Sequence, residues 1–152
     1  MDSLIQRIKR RQPDMVIGGH ERPYLLRWYV LPMNRLLNVY LHEFHRSDDD
    51  RALHDHPWAN VSILLRGEYT EHTIMAGGVH VRHVRREGDV VVRPSGRYAH
   101  RIELHAGQCT TLFITGPKYR TWGFHCPEQG WIPWRRFVDA RDSGAIGPGC
   151  EG

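Results

Sequence analysis

His54-Asp55-His56-Pro57-Trp58-Ala59-Asn60-Val61-Ser62-Ile63-Leu64-Leu65-Arg66-Gly67 and Gly88-Asp89-Val90-Val91-Val92-Arg93-Pro94-Ser95-Gly96-Arg97-Tyr98-Ala99-His100 are the two stretches that decide how this sequence is read. Side chains alternate across an extended strand, so His54 and His56, two positions apart, point to the same face. Two neutral imidazoles on one wall of a cavity can bind a transition metal. A third ligand has to come from elsewhere in the fold, and His100 is the best candidate.

The surrounding sequence reads as short strands separated by turns. Tyr24 to Leu31 and Leu37 to His45 read as the first two, followed by the loop Arg46-Ser47-Asp48-Asp49-Asp50-Arg51, a solvated turn whose carboxylates lead straight into His54. Ala52 to Leu65, Glu68 to Met75, Val79 to Arg85, Val90 to Val92, His100 to Leu104 and Thr110 to Ile114 continue the series, punctuated by Gly and Pro. Strands this short and this evenly spaced indicate an all-β sandwich or barrel. Ahead of them, Ser3 to Arg11 reads as a short amphipathic helix that Ser3 can cap, with Leu4 and Ile8 on one face and Pro13 ending it.

The two quoted stretches resemble the paired motifs of the cupin superfamily. In the first, an HxH pair is followed after three or four residues by Glu and, six residues on, by Gly; here His54 and His56 are followed by Asn60 and Gly67. In the second, Gly, five residues, Pro-x-Gly and a His are answered by Gly88, Pro94, Gly96 and His100. The resemblance covers roughly a third of the chain and implies a double-stranded β-helix, or jelly-roll barrel. It departs from the family in two places: Asn60 stands where a Glu is usual, and three residues rather than two precede His100. On a regular strand Asn60 shares the face of His54 and His56. It then either offers a carbonyl oxygen to a metal, as a weaker ligand than a carboxylate, or hydrogen-bonds a neighbouring backbone group. The expected metal set is His54, His56 and His100, with Asn60 as the further candidate. Three histidines leave the full charge of a divalent metal in place, which favours anionic ligands. Such a set suits Fe, and also Ni, Zn, Mn or Cu.

A second cluster, Arg120 to Pro127 followed by Gly130 to Trp134, is rich in aromatic residues. It either packs as a C-terminal strand on the sheet or shapes a substrate pocket. In the pocket reading Arg120 binds a carboxylate or phosphate, and Trp122 and Phe124 line the cavity. Trp58 joins them by parity with the histidines, Pro57 being the point where that register can break. Neighbouring His125 and Cys126 face opposite ways on a strand and do not form a catalytic dyad. His42, His45, His72, His80, His83 and His105 read as surface residues in alternating polar positions, and His20 as a loop residue.

Composition bounds the rest. The 152 residues suit one domain, with residues 1–140 as the cupin unit and 141–152 as a flexible Gly-rich tail. The net charge of +4 is carried mostly by scattered arginines, which fits attraction of small anions rather than nucleic acid. Three cysteines without CxxC spacing argue against a disulfide framework and for a reducing, cytoplasmic setting. No apolar run approaches the length of a membrane span. The resemblance admits dioxygenases, isomerases or epimerases, decarboxylases and noncatalytic binding modules. The leading expectation is an Fe(II)-type dioxygenase of a small organic acid or aromatic compound, in a homodimer. A noncatalytic metal- or small-molecule-binding module is the second reading, and a sugar isomerase or epimerase the third.

Overall fold

A computed structural model describes residues 2–48, 52–105, 107–141 and 145–151. Its strands are β1 (Met15–Ile17), β2 (Leu25–Tyr29), β3 (Asn38–Phe44), β4 (Leu53–His54), β5 (Asn60–Arg66) and β6 (Glu68–Ile74), then β7 (His80–Arg86), β8 (Val90–Arg93), β9 (His100–Leu104), β10 (Cys109–Thr115), β11 (Gly123–Cys126) and β12 (Gly130–Pro133). They form two antiparallel six-stranded sheets. The first runs β1-β2-β3-β10-β5-β8 and the second β12-β11-β4-β9-β6-β7. This is the all-β sandwich expected from the strand spacing, with the jelly-roll arrangement that the resemblance implies and sequence-distant strands paired in both sheets.

The loop expected before His54 is described only to Asp48, and Asp49, Asp50 and Arg51 lie outside the described residues. The stretch from Ala52 to Leu65 is not one strand. β4 ends at His54 and belongs to the second sheet, whereas β5 begins at Asn60 and belongs to the first. Pro57, with no N–H to donate and a fixed φ, sits in the crossing between them. Face parity therefore does not carry from the histidines to Asn60.

The N-terminal helix α1 (Asp2–Lys9) forms, but with a different inner face. Ile5 is buried against Trp28, Leu41 and Leu65 with Ile8 beside it, while Leu4 is exposed. The helix thus covers the outer side of the first sheet, and Lys9 pairs with Glu43 there. On the opposite side of that sheet, Leu25, Phe44, Leu64 and Cys109 pack with Tyr69 and Ile102 of the second sheet. A third cluster gathers Ala52, Cys126, Ile132 and Val138 around Phe137 of the short helix α2 (Trp134–Phe137).

The cysteine and histidine expectations are corrected. Cys126 and Cys150 form a disulfide, leaving Cys109 as the free, buried thiol among the described residues. Their 24-residue separation matches no spacing motif, and only the return of the chain past β11 brings them together. The described end of the expected flexible tail, residues 145–151, is held by that bond and by a bridge between Ile146 and Val138. His42 and His72 are buried rather than on the surface, because the faces they occupy are covered.

Candidate metal centre

The β4–β9 pairing places His54 directly opposite His100. A cross-strand pair brings its side chains close on one face, so the first ligand and the distant third meet through a single backbone register. His56 follows just beyond β4 and its backbone N–H donates to the Gly96 carbonyl at 2.8 Å, tying the two quoted stretches together. A Cβ on Gly96 would stand 2.2 Å from the His56 carbonyl oxygen, which is why this position takes glycine.

The ligand atoms of His54, His56 and His100 lie within 4.8 Å of one another. Nε2 of His56 and Nε2 of His100 are 2.9 Å apart. Two adjacent nitrogens on one metal, bound at about 2.1 Å and at right angles, would stand about 3 Å apart, so the residues fit such an ion. Burial, reinforced by the charges of His100 and His54, holds His56 well below the usual imidazole range. Burial and the nearby Arg93 push His100 down to about 3. Both rings are therefore neutral at pH 7, the form that ligates.

His100 is oriented by a carboxylate that the sequence reading missed. Its Nδ1 donates to Glu71 Oε1 at 2.9 Å, which leaves the Nε2 lone pair facing the other two histidines. Burial alone would raise the Glu71 carboxyl. The His100 hydrogen bond and the Arg93 charge instead hold it well below the usual carboxylate range. Arg93 pairs with Glu71 from one side, and Arg85 does so from the other at 2.8 Å. Tyr69 to His72 of β6 are all buried, and the large apolar Tyr69, two positions before Glu71 and so on the same face, is the signal that could have pointed inward.

Asn60 lies on β5 opposite Arg93, and its Oδ1 accepts from the Arg93 guanidinium at 3.1 Å. Its oxygen is thus engaged by a side chain, which is neither of the two roles expected for it. On the other flank, Asp48 Oδ2 lies 3.8 Å from His54 Nδ1 and accepts from the Ile102 N–H at 2.6 Å. The loop before His54 does bring a carboxylate near the cluster.

Asp55, the middle residue of the HxH stretch, points away from its neighbours and is fully buried. It accepts from the Gly123 N–H at 2.8 Å, from Trp131 Nε1 at 3.0 Å and from Arg120 Nη1 at 2.9 Å. Arg120 also donates to the carbonyls of His56 and Gly96. It does not line the cavity, so its place is a clamp on the backbone that carries His56 rather than a substrate contact.

The cavity between the sheets has a volume of about 360 Å³ and holds all three histidines. Trp58, Trp122 and Phe124 line it, joined by Trp134, Phe113 and Arg27. Trp122 stacks on Trp134 with centroids 5.7 Å apart, and Phe124 stands 6.1 Å from His54. The aromatic cluster after Arg120 both packs on the sheet and lines this cavity.

No family model matches the chain, and no curated protein matches it. Solved structures do. Oxalate decarboxylase of Bacillus subtilis, a protein with Mn(II) centres, superposes over 78% of this chain at 15% identity and a TM-score of 0.54. The match spans 31% of the decarboxylase, so this chain corresponds to about a third of its length. A cupin-like protein from Thermotoga maritima matches over 70% of this chain and 78% of its own, at 16% identity and a TM-score of 0.51. Fe(II)-HppE matches over 69% of this chain and 58% of its own, at 13% identity and a TM-score of 0.52. Sheet order, strand pairing and structural neighbours agree: this chain has the cupin fold.

Proposed function

We propose that this protein is a metal-dependent enzyme, an Fe(II)-type dioxygenase acting on a small organic acid or aromatic compound. The observation that carries the reading is the convergence of three imidazoles in an aromatic-walled cavity, His100 buried and neutral and His56 half-buried and neutral. His54, His56 and His100 would hold the metal. A divalent ion there supplies Lewis acidity and redox chemistry at coordination positions that the three histidines leave open. The protein's own part is to orient and to exclude water. Glu71 holds the His100 ring, Arg120 holds the His56 backbone, and the stacked Trp122 and Trp134 keep the histidine side of the cavity apolar. Neighbours carrying Mn(II) and Fe(II) support a transition metal, and Fe is preferred here, with Ni, Zn, Mn and Cu as the other candidates. A homodimer is the proposed assembly. Anaerobic reconstitution with Fe(II), followed by O₂-electrode measurements over a panel of small acids and aromatics, tests the reading. Substrate-dependent O₂ uptake is expected, and its absence across the panel contradicts it.

A second reading is a noncatalytic metal- or small-molecule-binding module. Asn60 favours it, because the position that carries a Glu in the family's motif holds a neutral side chain whose oxygen is engaged by Arg93. Stoichiometric metal without turnover of any panel compound is the outcome this reading predicts.

A further inference from the structure

Three cavity-facing residues stand side by side on three neighbouring strands of the first sheet. Arg27 of β2 is opposite His42 of β3, and His42 is opposite Thr111 of β10. Arg27 Nε donates to His42 Nε2 at 2.8 Å, and its guanidinium lies over the Tyr40 ring, 4.8 Å from the centroid. These contacts fix the plane of the guanidinium without neutralising it. Arg93 is paired with Glu71 and Arg120 with Asp55, whereas no carboxylate among the described residues contacts Arg27. Its Nη1 reaches only the Met15 sulfur, at 3.9 Å, and Nη2 has no hydrogen-bond partner among the described residues.

Thr111 supplies a second, independent sign of a ligand. Thr111 is 1% exposed and lines the cavity, yet its Oγ1 has no hydrogen-bond partner among the described residues. A buried hydroxyl without a partner costs free energy that a bound polar group would recover. The row is also joined to the histidine cluster. Phe113 stacks on His42 with centroids 5.0 Å apart and stands 5.9 Å from His56. An unneutralised guanidinium whose Nε is held by His42 keeps its Nη1–Nη2 edge for a ligand, and that edge is the geometry that takes a planar carboxylate. Ile17, Leu25 and Phe44 around it would cover an apolar body.

We propose that Arg27, with Thr111 beside it, binds the carboxylate of a small carboxylic acid that lies along the cavity with its reacting end toward His54, His56 and His100. Only the direction of the reacting end rests on the metal-enzyme reading. Arg27 is then the residue that selects acids over neutral analogues, the task first expected of Arg120.

The test compares benzoate and phenylacetate with benzamide, phenylacetamide and phenyl phosphate, titrated by calorimetry into the protein as purified and after chelation. The carboxylates should bind at least roughly tenfold more tightly than the amides, as expected when one charge-assisted contact is lost. Arg27→Met should abolish that preference, and Arg27→Lys should keep part of it, with thermal melts showing that both variants fold. Equal binding of acid and amide, an unchanged preference in Arg27→Met, tighter binding of phenyl phosphate, or no carboxylate bound at millimolar concentration would each overturn the proposal. Metal content read on the same samples separates the two readings. A metal-loaded protein whose acid preference survives Arg27→Met loses only the Arg27 assignment. A metal-free protein whose preference depends on Arg27 loses only the metal centre.

Discussion

At the scale of single residues, the centre depends on charges settled one shell behind the ligands. Glu71 is buried, takes the His100 Nδ1–H and is neutralised by Arg93 and Arg85. Glu71→Gln leaves Arg93 buried without its countercharge, so urea denaturation should show a loss of roughly 3 kcal/mol. Competitive chelator titration should show metal affinity lower by about 10–100-fold; unchanged affinity would remove Glu71 from this role. The depressed histidines set a pH dependence. An unfolded histidine titrates near 6.5, whereas His42, His56 and His100 are all held lower in the fold, His100 at about 3. Between those values the unfolded chain binds more protons than the folded one. The stability these groups contribute is therefore present above about pH 6.5 and lost as pH falls toward 3. The urea midpoint of metal-free protein should fall steadily from pH 7 to pH 4, and a flat profile would contradict the burial of these rings. His54, His56 and His100 were legible in the sequence because spacing and motif marked them. Glu71, Arg27 and Arg93 were not, because a single charged residue in a β-patterned run reads as an outward position until the pairing shows which face is covered.

At the scale of elements, the centre exists because β4 pairs with β9 and the Gly96 turn packs against the residue after β4. Gly96→Ala would drive a methyl group into the His56 carbonyl. It should cost about 1–3 kcal/mol by overpacking and shift His56 out of line, lowering metal content and thermal midpoint together. A variant that keeps both would show that the turn adapts. Most strand positions were legible from alternation and turn residues. The division of residues 52–65 between two sheets was not, since the apolar pattern continues across Pro57 while the hydrogen-bonded partners change. β1 was missed as well, being three residues long and recognisable only by its pairing with β2. The helix was legible but rotated, because Leu4 and Ile5 are equally apolar and only the sheet beneath decides which is buried.

At the scale of the whole molecule, the Cys126–Cys150 bond fastens the C-terminal segment beside the cavity, where Ala145 and Ile146 contribute to the lining. Closing a loop of this length contributes about 3 kcal/mol in the chain-entropy account. Reductant, or Cys126→Ser, should lower the thermal midpoint by several degrees; an unchanged midpoint would show that the segment is held without the bond. Cysteine spacing could not reveal this pair, which only the folded path of the chain brings together. The two-sheet architecture was legible as a whole because two motifs in the right order sit among evenly spaced strands. The central claim is that three histidines from two distant stretches form one metal centre. Elemental analysis of protein purified without chelators, beside a His56→Ala/His100→Ala variant whose circular dichroism is unchanged, tests it most directly. Stoichiometric transition metal in the parent and none in the variant is the predicted result. Metal retained in the variant, or absent from the parent after reconstitution, would contradict it.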